Sequence, residues 1–227
     1  MPIAESEVQL DGQRAISFRP ESPSTGGVLL LPTNAGPDKS NRYHSRCLAE
    51  AGLTTLLWDP YAGKGLPPDD ERSKWSAAVG DDWAITGLSR LLTYMAEEMG
   101  VERAGCLGFC MGGRYSLLLA AMDHRVAALA SFYPTIRRPT PATQKYDAVA
   151  IAAEIRCPAT VVCPGQDHIT TQEVYADLRE TLRERDQPTV AHVYPDAAHG
   201  FMQARKPEVA VKMAWTQAVV FMTANLL

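Results

Sequence analysis

Short runs of consecutive apolar residues recur along this 227-residue chain, and segments with amphipathic-helix spacing lie between them. Val28-Leu29-Leu30-Leu31, Leu53 to Trp58, Arg103 to Leu107, Val126 to Phe132, Pro158 to Cys163 and Thr189 to Tyr194 read as strands. Ser40 to Ala51 (closed by Gly52), Ser76 to Met99 (closed by Gly100), Arg114 to Met122, Thr171 to Arg185 and Pro207 to Leu227 read as helices. Strands without alternating polar positions are covered on both faces, and their alternation with helices predicts an α/β fold with a mostly parallel central sheet. The start of the chain differs: Val8 to Phe18 alternates about Asp11-Gly12, the signature of a hairpin. A single domain over residues 1–227 with no lid is expected. Thr135 to Ile155 is a longer crossover whose basic residues are placed to border a pocket.

Composition narrows the function classes. With 46% hydrophobic and 21% charged residues, a sizeable core is expected. A formal charge of −4 and the lack of any Lys/Arg run argue against a nucleic-acid partner. No apolar run approaches the ~18 residues of a membrane helix, and the acidic start Met1 to Glu7 is no secretory signal. Five cysteines, with no C-x-x-C pair and no Cys/His cluster, predict neither a disulfide framework nor a metal site, and a cytoplasmic setting.

The chemistry concentrates at Gly108-Phe109-Cys110-Met111-Gly112-Gly113, between a strand and a helix. A G-x-C-x-G-G junction is the backbone of a nucleophile elbow, in which the central residue takes strained dihedrals and the flanking glycines leave it room. Such a nucleophile needs an acid and then a histidine further along the chain. Asp167 follows the strand ending at Cys163, and His199 follows the last strand; both fall at the carboxyl edge of the sheet, where sites of open α/β sheets collect. Cys110, Asp167 and His199 are the expected triad. His168 is the competing histidine and Asp196 the competing acid, but Asp196 lies too close in sequence to His199 to orient its ring from behind. The backbone N–H groups of Met111 and of the Pro32 to Gly36 loop, at Asn34, are the expected oxyanion donors.

The chain resembles the dienelactone hydrolase family of α/β-hydrolases nearly end to end. The resemblance rests on L-L-P-x-x-x-G at Leu30 to Gly36, R-C-L-A-E-A-G at Arg46 to Gly52, W-D-P-Y-A at Trp58 to Ala62, G-F-C-M-G-G, G-Q-D-H at Gly165 to His168, and A-H-G-F. It implies hydrolysis of small lactones or esters by a Cys-His-Asp triad, with no metal or organic cofactor. Two departures stand out. Where family members carry a glutamate that helps deprotonate the cysteine, this chain has Thr33, which cannot act as a base. The two arginines that bind a substrate carboxylate correspond to Lys74 (or Arg72) and to Gln203, with Arg205 two residues on.

A thiolate is both a good nucleophile and a good leaving group, so the predicted substrates have stable leaving groups: enol lactones, aryl esters or thioesters, with plain alkyl esters poor. Tyr61, Trp75, Tyr133 and Phe201 lie near strand ends and are further candidates for substrate contact, whereas Trp58, Trp83 and Trp215 are expected in the core. The partner is a small molecule, and the protein a monomer or homodimer. Two other readings stay open: a thioesterase on the same triad, and a hydrolase fold turned to ligand binding or thiol redox sensing.

Overall fold

The computed structural model describes residues 3–227. Eight strands form one sheet in the order β1-β2-β4-β3-β5-β6-β7-β8. They are β1 (Ile3–Leu10), β2 (Gln13–Pro20), β3 (Gly26–Leu31), β4 (Thr54–Asp59), β5 (Arg103–Phe109), β6 (Val126–Phe132), β7 (Ala159–Gln166) and β8 (Thr189–Ala198). β1 and β2 form the predicted hairpin, with Asp11 and Gly12 both at positive φ, as a two-residue turn matched to strand twist requires. β2 also runs antiparallel to β4, and the other neighbours are parallel.

The helices are α1 (Lys39–Glu50), α2 (Arg72–Ala77), α3 (Asp81–Glu97), α4 (Met111–Met122), α5 (Ala148–Ile151), α6 (Gln172–Arg183), α7 (Phe201–Ala204) and α8 (Glu208–Leu226). Caps explain several starts: Asp38 accepts from Asn41 N–H before α1, and Thr171 accepts from Val174 N–H before α6. Two apolar layers sandwich the sheet. Leu29, Leu31, Leu56, Trp58 and Cys106 face α3 and α4, and Leu30, Leu57, Leu107 and Phe109 face α1 and α8. β3, β4 and the inner part of β5 are buried on both faces, which is why they read as unbroken apolar runs.

The structure corrects two expectations here. The single helix over Ser76 to Met99 is two helices, α2 and α3, with Ala78 to Gly80 between them. Apolar periodicity carries across the gap, but Gly80 is extended and Asp81 is drawn into a buried ion pair with Arg114 of α4, which resets the helix start. Trp83 therefore sits in the first turn of α3. It lies 6.2 Å from the ring of Trp58 yet keeps 41% of its surface exposed, so it is not a core residue. Trp58 is fully buried, and Trp215 packs against Phe109 and His44.

Candidate active site

β5 delivers Cys110 at φ 56° and ψ −114°, a conformation costly for any residue with a Cβ. The turn is set by close backbone approaches that only glycine permits. A Cβ on Gly108 would lie 2.0 Å from the Gly112 carbonyl oxygen, and one on Gly112 would lie 2.2 Å from the Leu31 carbonyl oxygen. Cys110 N–H donates to Phe132 O at 3.0 Å and Gly112 N–H to Pro32 O at 3.0 Å, so β3, β5 and β6 together clamp the elbow. The thiol stands at the N-terminus of α4, where the helix dipole favours negative charge.

Three sequence-predicted side chains meet there. His199 Nε2 lies 3.0 Å from Cys110 Sγ, and His199 Nδ1 lies 2.8 Å from Asp167 Oδ2. Asp167 is saturated with donors: the Tyr175 hydroxyl donates to Oδ2 at 2.6 Å, and the N–H groups of Ile169 and Thr170 donate to Oδ1 at 2.8 and 3.0 Å. Asp167 therefore stays below the usual carboxylate range: burial opposes its charge, but His199, Tyr175 and the backbone donors outweigh burial. Burial likewise works against the imidazolium, yet Asp167 and Cys110 raise His199 to about 9. Burial disfavours the thiolate too, and here His199, the Thr135 hydroxyl and the Met111 N–H bring Cys110 below an ordinary thiol. The His199 and Cys110 shifts both run in the direction that favours a thiolate–imidazolium pair.

The competing residues are elsewhere. Asp196 is exposed on β8, and His168 is exposed with its ring 6.0 Å from that of His199. Cys106 is fully buried, with its sulfur directed at the Ser116 carbonyl.

A cleft of about 160 Å³ opens over Cys110, bordered by Asn34 and Met111, by Ser73, Ser76 and Val79 from the α2–α3 segment, and by Thr135, Arg137 and Thr143. The crossover after β6 thus does border the pocket. Met111 and Asn34 line the same cleft, and the Tyr61 hydroxyl donates to the Asn34 carbonyl at 2.7 Å. Several expected contact residues are not on the cleft wall. The Thr33 hydroxyl accepts from Ala35 N–H and closes its own turn. Lys74 and Tyr61 face a separate groove with Trp75 and Trp83. Arg72 pairs with Asp69, and the Arg205 guanidinium lies over the Tyr43 ring. Tyr133, Phe201 and Gln203 form a packed layer behind His199: both rings are buried, and the Tyr133 hydroxyl donates to Gln203 Oε1 at 2.6 Å.

Arg137 on the cleft wall is one of the basic crossover residues expected to border a pocket, whereas four residues at the site escaped the sequence reading: Thr135, 3.1 Å from Cys110 Sγ; Tyr175; and the Arg114–Asp81 pair at the cleft edge. Only Thr135 carried a signal, its place just beyond the carboxyl end of a strand.

The sheet order and the strand-elbow-helix at its carboxyl edge define an α/β-hydrolase fold. A solved Klebsiella pneumoniae structure, named "putative dienelactone hydrolase", superposes with a TM-score of 0.88 at 21% identity, covering 98% of this chain and 99% of that one. Residues 13–226 match the dienelactone hydrolase family, and the chain belongs to that family, hydrolases of the lactone and ester type. A Salmonella typhi protein named "putative carboxymethylenebutenolidase" is 29% identical over 197 residues, 83% of this chain and 73% of that protein. The carboxymethylenebutenolidase of Rhodococcus opacus is 24% identical over 222 residues, 92% of this chain and 86% of that protein. Among the described residues no helix is long and apolar enough to cross a membrane, and no group of acidic, Cys and His side chains is placed to hold a metal ion.

Proposed function

We propose that this protein hydrolyses small lactones or activated esters through a thioester on Cys110. The observation that carries the reading is the unbroken row from thiol to imidazole to carboxylate, 3.0 and 2.8 Å, at a helix N-terminus. The thiolate attacks the carbonyl carbon, and the oxyanion gathers at the N–H groups of Met111 and Asn34. The carbon–oxygen bond to the leaving group breaks, and the imidazolium of His199 protonates the departing oxygen. Neutral His199 then takes a proton from water as that water attacks the thioester, and thiolate leaves with the acid product. Asp167 stays ionised throughout and holds the ring.

The thiolate must compete with the substrate's own leaving group, which favours enol lactones, aryl esters and thioesters over alkyl esters. A cleft of about 160 Å³ suits a small acyl group. The same row would serve a thioesterase. A redox role finds no support, because Cys106, four residues before Cys110, is buried with its sulfur on a carbonyl.

The test is the initial rate on an enol lactone, an aryl ester, a thioester and an alkyl ester, with wild type and Cys110→Ala. Turnover of the first three that vanishes in the variant is the expected result. Rates indifferent to the substitution, or a preference for the alkyl ester, contradict the proposal. The pH profile of kcat/KM should be bell-shaped. Its acid limb comes from protonation of a thiolate whose pKa lies below the ordinary value, and its alkaline limb, near 9, from loss of the His199 proton that the leaving group needs.

A further inference from the structure

The thiol has a second side-chain partner besides the histidine. Thr135 Oγ1 lies 3.1 Å from Cys110 Sγ, and this is its one side-chain hydrogen bond among the described residues. The placement is built by the backbone. Tyr133, a buried residue, takes φ 36°, a conformation that favours glycine. Its N–H is tied to Val162 O at 2.8 Å and its hydroxyl to Gln203. Pro134 then packs so closely on the elbow that a Cβ on Gly113 would meet its Cα at 3.0 Å. Finally, Thr135 N–H donates to the Cys110 carbonyl at 3.0 Å. Strain at Tyr133 and a backbone bond to the elbow residue itself therefore hold one hydroxyl against the sulfur. Strain of this kind persists only where surrounding structure enforces it, and it collects at functional sites.

We propose that Thr135 is a catalytic residue, its hydroxyl donating to the Cys110 sulfur whenever that sulfur carries negative charge; the proposal rests on the hydrolase reading above. The direction of the bond follows from the proton inventory. With His199 carrying the proton, the sulfur is an acceptor only, and the hydroxyl is the donor. Apart from the Met111 N–H, which is a backbone donor, the other groups facing Cys110 leave this role open. Arg114 is neutralised by Asp81, the Tyr61 hydroxyl is committed to the Asn34 carbonyl, and the Tyr133 hydroxyl to Gln203; Arg137 lines the cleft, and the side-chain hydrogen bonds to the sulfur among the described residues come from His199 and Thr135. Thr33 is turned into its own loop, and among the described residues no carboxylate lines the cleft over the thiol. A neutral donor in place of a nearby acid keeps the thiolate formed before substrate arrives, and does not make its formation wait on substrate.

The hydroxyl acts at both ends of the cycle. In acylation the sulfur becomes a thioether-like atom, a weak acceptor, and the Thr135 bond is loosened. In deacylation the carbon–sulfur bond breaks, the electron pair returns to sulfur, and the hydroxyl stabilises the thiolate as it leaves. Loss of the hydroxyl thus weakens the departing group in the second step while making the thiol harder to ionise in the first.

Thr135→Val keeps the shape of the side chain and removes the donor; Thr135→Ser keeps the donor. Thiolate formation is followed by ultraviolet absorbance against pH, with Cys110→Ala as the blank, and by the rate of iodoacetamide alkylation. In Thr135→Val the thiolate should appear about one pH unit higher, as expected for a hydrogen bond to a charged group. Alkylation at neutral pH should slow several-fold, and a thioester substrate should leave acyl-enzyme accumulated. Thr135→Ser should restore both. A Thr135→Val titration that overlays wild type overturns the proposal. So does a Thr135→Ser variant as impaired as Thr135→Val at equal melting temperature, which would mean that the methyl group's packing matters and not the hydroxyl. The titration needs no turnover, so failure of the hydrolase reading shows separately, as a thiolate shift in a protein that cleaves none of the esters.

Discussion

Two aspartates in this molecule are bound in nearly the same way, and the proposed mechanism gives them different roles. Asp167 receives His199, the Tyr175 hydroxyl and two backbone N–H groups. Asp81 receives both ends of the Arg114 guanidinium at 2.7 and 2.8 Å, with the N–H groups of Lys145 and Tyr146 at 2.9 and 3.1 Å. Both carboxylates are held below their ordinary range: burial opposes the charge in each case, and the donors win. The difference is the cation. Arginine stays charged at every accessible pH, so Asp81–Arg114 is a fixed node that ties the start of α3, the elbow helix and the crossover at Tyr146 to one another. His199, its pKa raised to about 9, can release its proton, and its far nitrogen faces a sulfur. In the proposed mechanism a saturated carboxylate is thus scaffold or machinery according to whether its partner can let a proton go.

Breaking each network should separate those roles. The largest effect is expected from Asp167→Asn, which cannot hold the imidazolium: kcat/KM should drop by roughly 10³–10⁴, the scale of the equivalent change in serine enzymes, with melting temperature nearly kept. Asp81→Asn should do the reverse. It strands the Arg114 charge in the interior, where both side chains are almost wholly buried, and should cost about 3–5 kcal/mol of unfolding free energy in a denaturant titration. Replacing both partners together, Asp81→Leu with Arg114→Met, should recover much of that loss, because a matched apolar pair leaves no charge unpaired. The smallest effect is expected from Tyr175→Phe. Removing one of four donors should cost about 1 kcal/mol of stability or catalysis. It should also strengthen Asp167 as an acceptor for His199 and so move the alkaline limb of the pH profile upward. A downward move would show that Tyr175 serves geometry and not charge.

The elements that place the site were legible in the residues because their signals are local. Unbroken apolar runs marked β3 to β7, Asp11-Gly12 marked the hairpin, and the glycines at 108, 112 and 113 marked backbone approaches where a Cβ would lie only 2.0, 2.2 and 2.8 Å from a backbone oxygen. The order of Cys110, Asp167 and His199 was enough to bring them to one sheet edge. What stayed hidden was non-local. No pattern in α6 singles out Tyr175 as the donor to Asp167, and nothing near Asp81 announces a partner 33 residues away in α4. That hidden pair is also what splits the helix that periodicity alone had joined across Ala78 to Gly80. The substrate-contact candidates fared differently for the same reason: nearness to a strand end says nothing about rotation, and Tyr133 and Phe201 turn inward beneath His199 while Arg137 takes the wall.

The central claim is that Cys110 carries the acyl group, and intact-protein mass spectrometry tests it most directly. Wild type mixed with an aryl ester and quenched within the first turnover should gain the mass of the acyl group, on the peptide that contains Cys110, as an adduct that hydroxylamine removes. An unmodified Cys110 during steady turnover, or an adduct on another residue, would contradict the account.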